Sequence, residues 1–167
     1  MSDQNQTDQN QTETETRAQL WEKLGDFNAG MLSVAPARFV PMSHNLDQGH
    51  QYLWFITAKG TDIADAAVQE SAATFIIASE ADKYHLAAEG TCVVVQDRAK
   101  LEELWNPVVD SWFDGGIDDP DVRLIRCELS RAEAWETTGA VGFAMQMVKA
   151  QVTGDAPDLG RHIRYAL

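Results

Sequence analysis

The first apolar positions to recur with a period are Leu20, Trp21, Leu24 and Phe27, which share one helical face and predict an amphipathic helix over 17–27. Residues 1–16 before it are almost entirely Gln, Asn, Thr, Asp and Glu, with no aliphatic residue after Met1. Nothing there can offset the entropy of ordering, so the stretch reads as a disordered tail. Met31 to Ala35 then reads as a strand, Pro36-Ala37 as a turn, and Arg38 to Leu46 as a second strand in which Pro41, lacking an N–H, marks an edge or a bulge. After the Asp47-Gln48-Gly49 turn comes the densest apolar run, Tyr52 to Ile56, which ends at Thr57. It passes through a Lys59-Gly60 turn and opens a helix at Thr61 that runs to about Glu70.

Ala73 to Ala78 is a nearly all-apolar strand, Glu80 to Lys83 a polar turn, and Tyr84 to Val95 a long strand in which Gly90 marks a bulge or bend. Asp97 caps a helix carrying Leu101, Leu104 and Trp105, Pro107 ends or kinks it, and a short helix follows through Val108, Val109, Trp112 and Phe113. Asp114 to Asp121 is a loop. Val122 to Leu129 and Ala132 to Thr137 read as two further strands, Val141 to Val152 as a helix closed by Gly154, and the remainder to Leu167 as extended chain. Strands mostly in hairpin-like succession, with helices between and after them, predict an α+β fold, mainly β: an antiparallel sheet or small barrel with flanking helices. The expected organisation is a single domain over 17–167 behind the tail.

Composition narrows the function more than the fold. With a net charge of −13 over 167 residues and no Lys/Arg cluster, a surface that tracks nucleic-acid phosphates or an anionic membrane is not expected. No apolar run reaches the ~18 residues that span a bilayer, and the N-terminus lacks a basic-then-apolar leader, so a cytoplasmic protein is expected. Cys92 and Cys127 both fall in apolar strand-like runs and read as small buried hydrophobes in a reducing compartment, a disulfide or reactive thiol being the minority reading. His44, His50 and His85 have no metal or catalytic spacing, and the DGGIDDPD loop, without the terminal Glu of an EF-hand, reads as turn chemistry. A strand that turns tightly into a helix start, as at Thr57 to Thr61, is an anion cradle in backbone terms.

The order of helix, strand, PM-containing strand, WFIT strand, helix and YxLxxxG strand resembles the pyridoxamine 5'-phosphate oxidase-like FMN-binding split barrels. The later half is similar to their general stress protein 26 branch. The residues that carry the likeness are Tyr84 to Gly90 (YHLAAEG), Asp97 to Trp105 (DRAKLEELW), Asn106-Pro107, Trp112 to Gly116 (WFDGG), Asp118 to Asp121 (DDPD), Leu124 to Arg126, Glu133 to Trp135 and Lys149 to Gly154. The resemblance implies a six-stranded antiparallel split β-barrel and a homodimer with two FMN molecules at the subunit interface. It also implies a low-specificity flavin-dependent oxidoreductase in a stress-associated role. The cofactor-binding positions it implies are Arg38, Val40, Met42, Phe55, Ile56, Thr57, Lys59, Thr61, Asp62, Ile63, Trp112 and Trp135, with Phe39, Tyr52 and Trp54 as further aromatic candidates.

Two of these positions depart from the family pattern. Val40 stands where an Arg precedes the Pro-Met pair, and Ile63 where a Lys follows the hydroxyl residue, leaving Arg38 and Lys59 as substitutes. Each lost cation forfeits a charge-assisted hydrogen bond to phosphate, about 1.5–3 kcal/mol. Asp62 and Asp65 add negative charge in the first helical turn, where a phosphate dianion would be repelled. The alternative expectation is therefore a non-catalytic split-barrel dimer with a degenerate phosphate site, acting as a binding or structural module.

Overall fold

The computed structural model describes residues 13–154 and 160–167; the first twelve positions of the expected tail and 155–159 lie outside them. The strands are β1 (Glu13–Thr16), β2 (Ala29–Val34), β3 (Val40–Ser43), β4 (Asn45–Leu46), β5 (Tyr52–Ala58), β6 (Ser71–Ser79), β7 (Tyr84–Val95), β8 (Val122–Thr137) and β9 (Gly160–Ala166). The helices are α1 (Arg17–Leu24), α2 (Asp62–Ala66), α3 (Arg98–Leu104), α4 (Pro107–Asp110) and α5 (Ala140–Thr153). The strands form one sheet ordered β1-β9-β8-β7-β6-β2-β3, with β5 pairing β4 and β8.

β8 organises this sheet. One side pairs with β7 along almost its whole length, while the other is divided between β5, opposite 122–128, and β9, opposite 132–137. β3 lies against β5 without joining its ladder, so β5, β8, β7, β6, β2 and β3 enclose the core as a split barrel. Those six strands are the expected barrel, and among the described residues the sheet has nine because a short β4 and the flanking β1 and β9 add to its wall.

Alternation places Leu53 and Phe55 of β5, Phe75 and Ile77 of β6, and Tyr84, Leu86 and Ala88 of β7 in the interior. On β8 the inward set is Ile125, Cys127 and Leu129, then Ala132 and Ala134. The phase changes because Ser130 is an extra residue: Glu89 faces Arg131 and Gly90 faces Leu129. The expected two strands are therefore one 16-residue strand with a bulge, which preserves an inward face on both sides of the insertion.

Leu20, Trp21 and Leu24 of α1 cap the open end of this core. Thr16 and Gln19 form a reciprocal capping box at its start. The expected disorder does not extend to Glu13–Thr16. These residues pair in parallel with β9, and Arg161 bridges Glu13, Glu15 at 3.2 Å and Glu136 at 3.0 Å. A partner strand almost 150 positions away supplies the ordering energy that local composition lacks.

The cysteines also differ from expectation. Cys92 and Cys127 sit directly opposite each other on β7 and β8, with Cα atoms 4.1 Å apart, and are joined as a disulfide. Pairing register, invisible in a sequence separation of 35, brings them together. No helix among the described residues is long and apolar enough to cross a membrane.

Candidate functional site

The strongest concentration of expected site residues is at the end of β5. Thr57 closes the strand, and the chain turns through Gly60, whose φ of 79° suits a residue without a Cβ. Thr61 then caps α2. Its hydroxyl donates to the Ala58 carbonyl (2.9 Å), accepts from the Ala64 N–H (3.3 Å) and lies 3.3 Å from the Thr57 hydroxyl. The Lys59 N–H donates to the Asp121 carbonyl at 2.7 Å, tying the turn to the acidic loop. That loop is itself internally satisfied: Asp119 accepts from the N–H groups of Asp121 and Gly115, which hold its carboxyl below the usual range.

Beside this turn, Pro36, Ala37 and Arg38 from the β2–β3 connection meet Asp62, Asp65 and Ala66 of α2 around an open depression of about 420 Å³. Arg38 thus reaches the helix start, but it lies in the connection before β3 and is exposed, whereas Val40 packs toward the core. The groove sets one guanidinium against two carboxylates. Such a donor set suits a phosphate dianion poorly, since the one hydroxyl is already engaged in the cap and the acids face the same opening.

The other expected residues separate into distinct environments. Ile63 and Phe55 are buried in the barrel core, and Met42 packs against it. Ile56 and Thr57 are half-buried, while Lys59 and Asp62 are exposed. Tyr52, Trp54 and Ile56 lie on the strand face opposite Leu53 and Phe55. The Trp54 ring is edge-on to Tyr52 at 5.9 Å, with the Lys100 ammonium 5.5 Å over it, and Arg126 sits 4.9 Å over Tyr52. Trp112 follows α4 and is 79% exposed; Trp135 is on β8, 41% exposed and stacked on His162 at 5.1 Å. Neither lines the Arg38 groove.

Trp135 lies twelve positions along β8 from Arg123, the partner of Thr57, a path of up to about 40 Å at ~3.3 Å per residue. Sequence reasoning missed Pro36, Ala37 and Ala66 as lining residues. Helical spacing from Asp62 would have found Ala66, whereas Pro36 and Ala37 carried only a turn signal.

A polar cluster elsewhere on the barrel is fully paired. Glu133 accepts from Arg131 (2.5 Å) and lies within 3.1 Å of His162 and 3.5 Å of Arg164, and the Arg131 guanidinium chiefly holds its carboxyl below the ordinary value. At the α1 end, Tyr84 and Tyr165 share a buried hydroxyl pair at 3.0 Å, with burial raising both phenols.

With this geometry in place, comparison with known proteins is informative. Residues 15–158 match the family model described as "Pyridoxamine 5'-phosphate oxidase like". Among solved structures, the general stress protein 26 of Jannaschia sp. CCS1 is 34% identical, with a TM-score of 0.75 over 90% of this chain and 99% of that one. The general stress FMN/FAD binding protein of Xanthomonas citri is 24% identical, with a TM-score of 0.65 over 74% and 90% of the two chains. A protein from Clostridium acetobutylicum related to general stress protein 26 is 18% identical, with a TM-score of 0.60 over 72% and 87%. Among curated proteins no significant match is found.

Proposed function

The chain belongs to the pyridoxamine 5'-phosphate oxidase-like family, and from that membership we propose that it is a flavin-binding protein of the general stress type whose ligand is FMN. What supports the reading is the match of residues 15–158 to that family's model; the open depression where Arg38 meets the start of α2 is the place where the family resemblance puts the phosphate. The name of the Xanthomonas citri protein, FMN/FAD binding, accords with it. Because that groove sets two carboxylates against one guanidinium, the isoalloxazine ring rather than the phosphate carries most of the affinity. Aromatic walls and backbone groups are what hold such a ring.

In this reading the protein pairs as a homodimer in the cytoplasm, where complete burial of the Cys92–Cys127 bond denies access to attacking thiolates. A bound flavin would supply hydride or electron transfer, and the chain's own residues would bind and orient it, making a low-specificity oxidoreductase. A second reading, a dimer with a degenerate phosphate site serving as a binding module, is favoured by Asp62 and Asp65 at the groove. Restoring the family cations would not separate the two readings. Ile63 is in the core and Val40 packs against it, so Lys or Arg there would bury a charge.

The test is titration of the purified full-length chain with FMN, followed by flavin fluorescence. Saturable quenching at one flavin per chain supports the proposal, and a colourless protein that leaves the fluorescence unchanged overturns it. If flavin binds, bleaching of its visible band by reduced nicotinamide, with reoxidation in air, supports the oxidoreductase. A band that only dithionite bleaches supports the binding module.

A further inference from the structure

The outermost strand of the sheet is anchored lightly. β1 (Glu13–Thr16) has no apolar residue, and none of its four residues is buried. From Thr12 to Thr16 the sequence alternates Thr and Glu, so side-chain packing does not fix the register of this strand. A four-residue parallel ladder to β9 ties it down, and the entropy of ordering its backbone opposes those hydrogen bonds. Arg161 of β9 supplies the rest. Its Nε donates to Glu13 Oε1 at 3.0 Å and its Nη2 to Glu15 Oε1 at 3.2 Å. Thr16 also caps α1, so β1 can peel away only from its Glu13 end.

β9 does not depend on β1 for its own place. It pairs with β8 from Gly160 to Tyr165, and Ile163 and Tyr165 are buried in the core. Glu136 of β8 holds the guanidinium from the barrel side, accepting from Arg161 Nη1 at 3.0 Å. With β1 away, the outer edge of β9 would present the ladder groups that β1 now occupies, beside a cation already held in position.

We propose that this edge of β9 is a docking site for an extended acidic segment of a partner protein, and that β1 is the chain's own occupant, displaced when such a segment binds. Docking there involves no flavin. Strand addition takes its affinity from the main chain and its specificity from alternate side chains. On β1 the alternate residues that meet Arg161 are Glu13 and Glu15, so the partner segment carries carboxylates at i and i+2, on one face of the strand. β9 reads GRHIRYA, with Arg161, His162 and Arg164 and no acid, in a chain whose net charge is −13. At physiological salt, charges more than about 8 Å away are largely screened, so an incoming acidic strand meets the basic residues of β9 rather than the charge of the whole chain. A basic segment would forfeit the Arg161 contacts and face like charge at the same edge.

The test is fluorescence anisotropy of a fluorescein-labelled peptide QTETET, the sequence of residues 11–16, titrated with the full chain and with its Glu13→Gln/Glu15→Gln variant. In the wild type the tethered strand competes at an effective concentration of roughly millimolar. In the variant that strand is weakened while β9 and Arg161 are intact. Neither substituted side chain is buried, so circular dichroism and melting temperature should be unchanged. The variant should bind QTETET at least ten-fold more tightly than the wild type does and at least ten-fold more tightly than it binds QTQTQT. Adding Arg161→Gln should remove that preference. Should Arg161→Gln unfold the chain, Arg161→Lys keeps the charge, loses the fork and should still lower the preference. No binding by the variant, or binding equal to that of the wild type, overturns the assignment of the β9 edge. Equal binding of the two peptides overturns its reading by Arg161. Self-association that appears in the variant and not in the wild type, measured by sedimentation without peptide, overturns the choice of a foreign partner.

Discussion

Replacing Gly90 by Ala tests the barrel's most constrained point. A Cβ there would lie 1.9 Å from the Glu128 carbonyl oxygen, 2.8 Å from its carbon and 2.9 Å from the Leu129 Cα. All three are backbone atoms of β8, so no rotamer change relieves the overlap, and the 1.9 Å contact must open to at least 3.4 Å, which parts the two strands locally. The Cys92–Cys127 bond, two residues along β7, resists that separation. Losing two or three ladder hydrogen bonds at about 1 kcal/mol each costs about 2–3 kcal/mol. Ala suits a strand better than Gly by about 0.5–1 kcal/mol, so the net destabilisation is about 2 kcal/mol.

With an m-value of about 2 kcal/mol/M, the urea midpoint read by tryptophan fluorescence should fall by about 1 M. Gly60→Ala provides the contrast. Nothing lies within 4 Å of the added carbon there, so its cost is the left-handed backbone alone, about 1–2 kcal/mol. A Gly90→Ala midpoint within about 0.2 M of the wild type would refute the clash at the bulge.

Other consequences can be measured directly. His44 donates from Nε2 to the Leu24 carbonyl at 3.0 Å, its Nδ1 is buried without a partner among the described residues, and burial holds the imidazole below its ordinary value. The folded state therefore takes up a proton less readily than the unfolded one. Stability is full above about pH 6.5 and is lost as pH falls below it, and His44→Phe should flatten the urea midpoint between about pH 6.5 and 5. Asp62→Asn with Asp65→Asn should raise FMN affinity about ten-fold near physiological salt and leave riboflavin affinity unchanged, given two exposed charges at roughly 6 Å from a dianion; equal gains for both ligands would contradict the placement of the phosphate. Denatured but unreduced protein should label no thiols and reduced protein two. Cys92→Ala/Cys127→Ala should lower stability by up to about 4 kcal/mol, and free thiols before reduction would remove the basis for that figure.

How much of this was legible in the sequence depends on the range of the interaction involved. The Asp97 and Thr61 caps and the Gly154 stop are local, since each depends on a backbone group a few residues away, and all three were readable. Gly90 was readable as a bulge, yet the inserted residue is Ser130 on the facing strand. A polar Ser130-Arg131 pair between apolar stretches is indistinguishable from a strand break until β7 is laid beside it.

The ordering of Glu13–Thr16 and the joining of Cys92 to Cys127 depend on partners 35 or more positions away. At the candidate site the sequence located the Thr57 to Thr61 turn, but not the direction in which Ile63 points. α2 is only five residues long. The chain turns after Ala66, where the Ser71 hydroxyl donates to the Ala66 carbonyl and the Val94 N–H to Ala67, and this docking of α2 on the barrel presses Ile63 into the core.

In the proposed function a flavin is held chiefly by its ring, because the groove beside α2 sets Arg38 against Asp62 and Asp65. Equilibrium titrations of the full-length protein with FMN and with riboflavin, in the same buffer, test it most directly. Dissociation constants within about ten-fold of each other are expected. FMN binding more than about 100-fold tighter than riboflavin, about 2.7 kcal/mol, would mean that charge-assisted phosphate contacts at about 1.5–3 kcal/mol each outweigh the two carboxylates, and would refute the ring-dominated reading.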